Sequence, residues 1–543
     1  MPPPTDTAAA SEPVRLDHQF SLDQDALASS LTVMAGAPSL LHRLQRGRPV
    51  SVAVLGASVA QSGGCYDRAK RCHDWSRGAK RGFIVRFMEL LNRTWPQAHS
   101  LKNSATDATP PQMLLDCLYS LVPPSPHLIV LEFGSMGRHV EPVRTELLVR
   151  LLLRLPSNPS LVFVTVREWC ASSHLGFGHE VPSYGRNQTT RHSQAEAFFE
   201  AMCHRYGQSC LSYFRACERG YYAEPQEPNF TRKAIGRDCL HPEKGTHGTA
   251  YMTDMLVHWL RQAMLRNDPV TVGRVATSTV AGLPPPLMRS DNLNTAKAAL
   301  HARSDRCYRF GVPGTTGLQS KSQQKFESVP WRTAHCSSLT QPLERCMDPG
   351  PTECPTQTSM RNFQPRGWVY CSRALVDTGD GQLRSSKLSP GTTARVPGAT
   401  MEFALDTSSQ ISSRAGGRGV QSLTSRPPLH ASVEHVQMRL TYLQSYERHG
   451  IVQLTCVRGC TCAEQRIDAH TPPASGRRNE SVFAQQKFAV AGRTRRCELR
   501  LQLLEETSSG GHMFKVKDLS LGSNDAALLE DAGMATFTTG GLR

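Results

Sequence analysis

The stretch PVSVAVLGAS, residues 49–58, decides how the first half of the chain is interpreted. Its apolar run is continuous rather than alternating, which is typical of a strand that is buried on both faces of a parallel sheet. The run ends at Gly56, and Ser58 follows between small residues. A serine in this place can present its hydroxyl at the open edge of a sheet. The stretch therefore predicts a buried strand with an accessible serine at its carboxyl end.

Strand-like and helix-like segments alternate from this stretch to residue 265. The apolar runs HLIVLEF (127–133) and SLVFVTV (160–166) predict two further buried strands. Helical spacing of apolar residues predicts helices over 83–95, 111–122, 142–155, 190–207 and 246–265, and a short strand is predicted over 210–214. Alternation with short connections indicates a parallel sheet with helices on both faces. In such sheets ligands bind at the carboxyl ends of the strands.

Shifts in composition divide the chain into five parts. Weakly patterned Pro, Ala and Ser predict a flexible N-terminal segment, and a stretch dominated by Pro, Gly, Ser and Thr predicts a partly disordered linker. Short strand-like segments separated by turn residues, such as CELRLQLL (497–504), predict a β-sandwich-like domain. The predicted boundaries are 1–47 for the flexible segment, 48–265 for the α/β domain, 266–365 for the linker, 366–525 for the β-rich domain and 526–543 for a flexible tail.

The overall composition narrows the classes of function. With 543 residues, the chain is too long for one hydrophobic core. Its net charge is +16, but the basic residues are scattered, so nucleic-acid binding is not expected. No apolar run of about 18 residues predicts a membrane span, and no phosphate-binding or dinucleotide motif predicts a cofactor.

The sequence leaves the cellular compartment open. The chain has 17 cysteines, and N-x-S/T sequons begin at Asn92, Asn187, Asn229 and Asn479, which favours the secretory pathway. The first residues, however, lack the apolar core of a secretory signal peptide.

A second chemical motif, DCLHP (238–242), lies just before the last predicted helix of the α/β domain. A serine hydroxyl becomes a good nucleophile when a base takes its proton and a third group orients that base. His241 is a suitable base because an imidazole titrates near neutrality, and Asp238 is close enough in sequence to orient it. Each motif has a structural alternative, since G-x-S often marks a tight turn and D-x-x-H arises by chance. In this order within an α/β chain, they predict Ser58 as nucleophile, His241 as base and Asp238 as the orienting carboxylate.

These motifs give the chain a resemblance to the SGNH (GDSL-type) hydrolases. GASVAQSGGC (56–65) resembles their first block, G-D-S-x-x-x-x-G, with Ala57 in place of the aspartate, and DCLHP resembles their last block, D-x-x-H-P. The second and third blocks would lie in KNSATDAT (102–109) and LIVLEFGSMG (128–137). The second half resembles an algal and plant-like subgroup, whose GW, SYE-x-x-G and Cys-x-x-x-Cys-x-Cys segments correspond to Gly367-Trp368, SYERHG (445–450) and Cys456/Cys460/Cys462.

The resemblance implies a fold and an oxyanion hole. The fold would be a three-layer αβα, flavodoxin-like parallel sheet followed by the β-sandwich-like domain. The oxyanion would be held by backbone N–H groups of Ser58 and of Ser104 or Ala105. Met136 stands where the third block normally has asparagine, and a thioether cannot donate a hydrogen bond. Loss of one oxyanion donor typically costs ~100- to 1,000-fold in rate, so a slow enzyme, a substitute donor at Ser135 and a non-catalytic protein all stay open.

Three functions remain as hypotheses. The first is a serine esterase acting on a small-molecule or carbohydrate ester, with a carbohydrate O-acetyl group suggested by analogy with glycan-binding sandwich modules. The second is an O-acyltransferase that uses the same triad. The third is a non-catalytic glycan-binding or surface protein on a degenerate hydrolase fold, which Met136 favours and the intact Ser58, Asp238 and His241 oppose. The sequence does not determine the oligomeric state.

Two further features concern cysteines and a carboxylate. Cys456, Cys460, Cys462 and Cys497 could bind zinc, but structural zinc sites usually show two tight cysteine pairs, so disulfides or buried thiols are favoured. Glu132 ends a predicted strand beside the candidate site. It either orients the neighbouring loops or is a solvated carboxylate at a strand end.

Overall fold

The structure is a computed structural model. It describes residues 16–61, 82–115, 117–167, 191–223, 225–236, 240–242, 247–266, 283–288, 306–310, 327–329, 331–338, 340–354, 363, 365–377, 383–408, 435–472, 481–492 and 494–522.

A six-stranded sheet forms the centre of the first half. Its strands are β1 (Leu31–Val33), β2 (Ser51–Gly56), β3 (Ser100–Asn103), β4 (Leu128–Glu132), β5 (Ser160–Thr165) and β6 (Ser209–Ser212). The spatial order is β1-β6-β5-β4-β2-β3. Strands β2 to β6 are parallel to their neighbours, whereas β1 joins the β6 edge antiparallel. The predicted parallel sheet is thereby confirmed, and the carboxyl end of β2, with Ser58 beyond it, lies in its interior.

Helices cover both faces of this sheet because successive side chains of each buried strand point to opposite sides. Val52 and Val54 join a core with the helices of one face, and Ala53 and Leu55 join a core with those of the other. The first face carries α1 (Gln24–Ser30), α2 (Pro38–Gln45), α4 (Phe83–Thr94), α8 (Tyr213–Tyr221) and α10 (His247–Arg266). The second carries α5 (Leu118–Leu121), α6 (Pro142–Leu153) and α7 (Arg191–Tyr206). The short helices α3 (Ser58–Gln61) and α9 (Arg232–Ile235) and the 3-10 helices Pro111–Leu114, Gly134–His139 and Pro228–Phe230 complete this half.

Two mainly antiparallel sheets, with one parallel pair between β7 and β8, form the second half and share one apolar core. Met438 and Val516 of one sheet and Met401 and Leu501 of the other belong to that core, together with the fully buried Trp368. One sheet has the order β10-β11-β19-β13-β17-β15, with β7 beside β19 and β8 beside β7, and the other has the order β16-β14-β18-β12-β9. The strands are β7 (Arg306–Arg309), β8 (Glu327–Ser328), β9 (Trp331–His335), β10 (Val369–Asp377), β11 (Leu383–Ala394), β12 (Ala399–Leu405), β13 (His435–Gln444), β14 (Ile451–Arg458), β15 (Thr461–Cys462), β16 (Gln465–Asp468), β17 (Val482–Ala491), β18 (Cys497–Leu503) and β19 (Phe514–Gly522), with a 3-10 helix at Leu343–Arg345.

The N-terminal segment differs from the flexible lead-in predicted for residues 1–47. Within it, α1, β1 and α2 are ordered, and Leu27, Leu40 and Leu44 are buried in the core of the first half. The helices are short, and short helices have little stability of their own in water. Their order comes from packing of α1 against α8 and α10 and of α2 against β5, which local sequence patterns do not reveal. Residues 1–15 lie outside the described part of the chain.

The predicted linker, 266–365, also contains ordered pieces. Residues 283–288 lie along α6, where the carboxylate of Glu146 accepts hydrogen bonds from the N–H groups of Leu287 and Met288, and Arg150 donates to the carbonyl of Pro284. Strands β7, β8 and β9 belong to the sheets of the second half, which therefore begins well before residue 366. The predicted helix over 111–122 is replaced by a 3-10 turn and the single turn of α5.

Disulfide bonds occur in both halves and between them. They join Cys117 to Cys307, Cys203 to Cys210, Cys336 to Cys346, Cys354 to Cys371, Cys456 to Cys462 and Cys460 to Cys497. The cysteine cluster that the sequence offered for zinc or disulfides is thus paired within itself. Among the described residues, no helix is long and apolar enough to cross a membrane.

Candidate active site

Ser58 and His241 meet at the carboxyl end of β2. Although they lie 183 residues apart in sequence, Ser58 Oγ is 2.6 Å from His241 Nε2. Both side chains are partly buried, so each retains some contact with solvent. The third member of the predicted triad, Asp238, lies outside the described residues. The two groups therefore have the contact that a nucleophile and a general base require.

The position of Ser58 depends on a close approach between two strands. A Cβ at Gly56 would lie 2.5 Å from the carbonyl oxygen of Glu132 and 2.8 Å from Cβ of Ala60, distances that side chains do not adopt. The N–H of Ala57 donates to the same carbonyl at 3.0 Å. Glycine is therefore required before the turn, and the turn that carries Ser58 is fixed to β4.

The position of His241 depends on the beginning of α10. A Cβ at Gly248 would lie 3.0 Å from Cβ of Pro242 and 2.8 Å from the hydroxyl oxygen of Tyr213. Tyr213 is buried and donates its hydroxyl proton to the carbonyl of Ile235 at 2.7 Å. The segment that carries His241 is thus held between α8, α9 and α10.

The loop after β3, residues 103–109, lies against the helical turn of Ser58. Asn103 donates its side-chain amide to the carbonyl of Ala60 at 2.8 Å, and the N–H of Asp107 donates to the side-chain oxygen of Gln61 at 3.0 Å. Ala105 donates its N–H to the side-chain oxygen of Asn103 at 3.0 Å. Ser104 donates its N–H to the carbonyl of Val54 at 2.9 Å and its hydroxyl to that of Leu121 at 2.6 Å. Both predicted oxyanion donors of this loop are therefore engaged in hydrogen bonds within the protein.

Glu132 is buried beneath the site and links two loops. Its carboxylate accepts the N–H of Ala60 at 3.3 Å and the N–H and hydroxyl of Ser135 at 3.2 and 3.3 Å. The side chain is fully buried, and this burial raises the pKa of its carboxyl group to about 7. Of the two roles considered for Glu132, the geometry matches loop orientation and differs from a solvated carboxylate.

Ser135 and Met136 lie in the 3-10 helix after β4. The Ser135 hydroxyl, considered as a substitute oxyanion donor, is buried and directed to Glu132. Met136 is buried, and its N–H donates to the carbonyl of Phe133 at 2.9 Å. The Met136 thioether cannot donate the side-chain hydrogen bond that an asparagine at this position would provide.

The sequence reasoning missed a second polar cluster at the carboxyl ends of β5 and β6. Glu196, in α7, is buried and accepts hydrogen bonds from the hydroxyl groups of Thr165 and Ser212, and its carboxylate lies 3.6 Å from Arg167. The guanidinium carbon of Arg167 lies 3.3 Å from the ring centroid of Phe214, and burial lowers the pKa of this guanidinium. A glutamate within a helix is normally interpreted as a solvated residue, so Glu196 itself gave no signal in the sequence. The signal that could have indicated the cluster is the pair of polar residues, Thr165 and Ser212, at the ends of β5 and β6.

Comparison with known proteins gives structural similarities alone. No protein-family model and no curated protein matches the chain. A two-domain esterase active on acetylated mannans, crystallised with mannopentaose, is similar at 12% identity and a TM-score of 0.45, over 93% of this chain and 99% of that chain. The esterase EstA from Pseudoalteromonas sp. has 11% identity and a TM-score of 0.27, over 40% of this chain and 99% of its own. Phospholipase A1 from Streptomyces albidoflavus NA297 has 11% identity and a TM-score of 0.26, over 40% and 99%.

Proposed function

We propose that this chain is a serine esterase of the SGNH type, with Ser58 as nucleophile, His241 as general base and Asp238 as the carboxylate that orients the imidazole. The observation that carries the proposal is the 2.6 Å contact between Ser58 Oγ and His241 Nε2. The contact lies at the carboxyl edge of a parallel sheet, where open α/β folds place their sites. Numbered from β2, the parallel strands have the order 2-1-3-4-5, which is the flavodoxin-like order that the SGNH resemblance implies.

The geometry supports acyl transfer in two stages. In the first, Ser58 Oγ attacks the ester carbonyl while His241 Nε2 takes its proton, and the imidazolium then protonates the departing alkoxide. In the second, His241 takes a proton from water as the water oxygen bonds to the acyl carbon, and the imidazolium then returns that proton to Ser58 Oγ as the bond between Ser58 and the acyl group breaks. Glu132 holds the turn of Ser58 by its bond to Ala60.

For the oxyanion we propose the backbone N–H groups of Ser58 and Ala105. Ala105 would exchange its bond to the Asn103 side chain for one to the oxyanion when substrate is bound. Ser104 would act as the anchor of the loop, through its bonds to Val54 and Leu121. With Met136 in the third-block position, the hole has fewer donors than is usual for this type of enzyme, and the expected turnover is correspondingly slow.

As substrate we propose a carbohydrate O-acetyl ester. The support is an analogy of architecture, because two-sheet domains like the second half of this chain recur as glycan-binding modules. O-acyl transfer to a sugar hydroxyl uses the same residues, and the products distinguish it from hydrolysis. Free acetate identifies an esterase, whereas acetylated acceptor sugar identifies a transferase.

The first prediction concerns covalent labelling of Ser58. A fluorophosphonate probe should label the wild-type chain, because such probes react with serines that a base activates. Labelling should be lost in Ser58→Ala and should slow by about 1,000-fold or more in His241→Ala. Ser51→Ala is the matched control. Ser51 lies in β2, the strand that leads to Ser58, and this variant should label like the wild type. Labelling that persists in Ser58→Ala would overturn the proposal. The proposed substrate is tested separately, by measuring the release of acetate from acetylated mannan.

A further inference from the structure

The second half of the chain contacts the loop that follows β3. The N–H of Phe483, at the start of β17, donates to the carbonyl of Ala108 at 2.7 Å. Phe483 faces Leu443 of β13 across the ladder, and its N–H is directed instead to the first half of the chain. A strand of the second half thus supplies a hydrogen bond to the loop that carries Ser104 and Ala105.

Ala108 is held in a conformation that its side chain disfavours. Its φ is 54°, in the left-handed region, where a Cβ crowds the backbone. Such a conformation persists when the surrounding structure fixes it. The carbonyl of Ala108 accepts the N–H of Phe483 from the second half, and Ala108 is itself buried.

A covalent link joins the two halves beside the same loop. Cys117, between the 3-10 turn at Pro111–Leu114 and α5, is bonded to Cys307 of β7. Two backbone carbonyls shortly after Cys117 hold the end of β3. The carbonyl of Ser120 accepts a hydrogen bond from the Lys102 ammonium at 2.9 Å, and that of Leu121 accepts one from the Ser104 hydroxyl at 2.6 Å. The disulfide therefore restrains a segment that holds Ser104.

Charged residues of the second half also lie beside the loop that follows β3. A cavity of about 20 Å³ is lined by Ser104 and Thr106 of the first half and by Arg309 and Lys517 of the second. Burial lowers the pKa of the Lys517 ammonium, and the carboxylates of Asp518 and Asp107 act against that shift.

The loop passes these restraints on to the nucleophile turn. Asp107 donates its N–H to Gln61, the last residue of α3, and Thr106 donates its N–H to the carbonyl of Gly56 at 3.0 Å. Ser58 is the first residue of α3. A shift of Ala108 would therefore move the proposed oxyanion loop relative to Ser58.

We propose that the second half of the chain is a positioning element for the proposed active site, in which the N–H of Phe483 holds Ala108 in its left-handed conformation and so holds the 103–109 loop against the turn of Ser58. The inference rests on the esterase function proposed above. Phe483 and Ala108 are positioning residues, since neither contacts the reacting groups. Catalysis is sensitive to such positioning, because a displacement of about 1 Å can cost ~100-fold in rate.

The test compares Phe483→Pro, which removes the N–H, with Phe483→Leu, which removes the ring and keeps the N–H. For ester hydrolysis we expect Phe483→Pro to lower kcat by about 10- to 100-fold relative to Phe483→Leu, with KM within about twofold. Adding Ala108→Gly should recover most of this loss, because glycine adopts positive φ without a Cβ penalty. Rescue of this kind would not follow from general destabilisation. Equal kcat for Phe483→Pro and Phe483→Leu would overturn the inference while leaving the esterase function intact.

Amide hydrogen exchange gives a readout that does not depend on activity. Exchange in a peptide covering residues 104–109 should be faster in Phe483→Pro than in Phe483→Leu, with exchange in β13 and β19 unchanged. If the wild type shows no Ser58-dependent activity but this difference in exchange appears, the esterase function fails and the support of the loop stands. If exchange in the loop is the same in both variants, the support of the loop is disproved whatever the activity.

Discussion

At the scale of single residues, the site depends on small side chains that let backbones approach. Gly56 allows β2 to pass the carbonyl of Glu132, and Gly248 allows α10 to approach Pro242 beside His241. Neither glycine has positive φ, so steric space rather than backbone conformation explains their identity. The contact between Ser58 and His241 is therefore set by how closely their supporting segments pack.

Gly56→Ala should separate these segments. The added methyl would lie 2.5 Å from the Glu132 carbonyl oxygen, and backbone atoms must shift to relieve the contact. We expect a loss of about 1–3 kcal/mol in the free energy of unfolding, as in other overpacked cores, and a fall in kcat of about 100-fold. Urea unfolding and ester hydrolysis measure the two effects.

Gly36→Ala is the matched control for this substitution. The nearest heavy atom to its new Cβ is Cδ of Pro38 at 3.9 Å, an ordinary contact. Its stability and kcat should stay close to those of the wild type. Wild-type activity in Gly56→Ala would show that the turn of Ser58 tolerates displacement.

At the scale of single elements, the motifs of the second half have roles in packing. The Trp368 side chain is fully buried and donates its indole N–H to the carbonyl of Ala399 at 3.2 Å. SYERHG (445–450) forms the turn between β13 of one sheet and β14 of the other. In it, Ser445 Oγ accepts the N–H of Glu447 at 3.1 Å, and a Cβ at Gly450 would lie 2.8 Å from Cα of His512. The chain therefore passes from one sheet to the other in close contact with the backbone of His512.

His449, within this turn, should make the second half sensitive to acid. Its side chain is buried, and in the described part of the chain neither ring nitrogen has a hydrogen-bond partner. Burial, with the nearby Lys515, lowers the pKa of His449 from 6.5 to about 4. Because the unfolded chain then binds more protons, stability is present above pH 6.5 and falls as the pH drops toward 4. The expected loss at pH 4 is about 3 kcal/mol.

The measurement is the free energy of unfolding of the whole chain between pH 4 and 7. The difference between wild type and His449→Leu should change by about 3 kcal/mol over this range, because the variant lacks the titrating group. His435→Leu, at an exposed position of β13, controls for loss of an imidazole at the surface. A difference that is constant with pH would contradict the assignment to His449.

At the scale of the whole molecule, two connections bind the halves together. The segment 283–288 is held along α6 by Glu146 and Arg150, and the Cys117–Cys307 bond joins residues separated by 190 positions. A crosslink over so long a separation restricts the unfolded chain strongly in the chain-entropy view. The halves are therefore expected to unfold together while this bond is intact.

The double variant Cys117→Ser/Cys307→Ser should lose this coupling. The chain-entropy relation gives a loss of roughly 5 kcal/mol, and we expect one unfolding transition to separate into two. Cys336→Ser/Cys346→Ser, with a separation of 10, is the control and should lose only about 3 kcal/mol. Urea unfolding under non-reducing conditions, followed by fluorescence and circular dichroism, measures both. Equal losses in the two variants would argue against the coupling.

Periodicity and motifs in the sequence determined much of the first half. The apolar runs at 49–56, 127–133 and 160–166 are β2, β4 and β5, and the helices predicted at 83–95, 142–155, 190–207 and 246–265 are α4, α6, α7 and α10. Ser58 and His241 were predicted as partners from G-x-S and D-x-x-H spacing, and the structure brings them together. These features could be predicted because buried strands, amphipathic helices and short motifs leave local patterns.

Only the tertiary structure decided what depends on distant contacts. The ordering of α1 and α2, the division of 111–122 into two short turns and the docking of 283–288 each depend on packing against residues far along the chain. The burial of Glu132, the polar cluster around Glu196 and the bond from Phe483 to Ala108 do so as well. A local pattern reports which face of a segment is apolar, whereas the partner that covers that face is chosen by the folded chain as a whole.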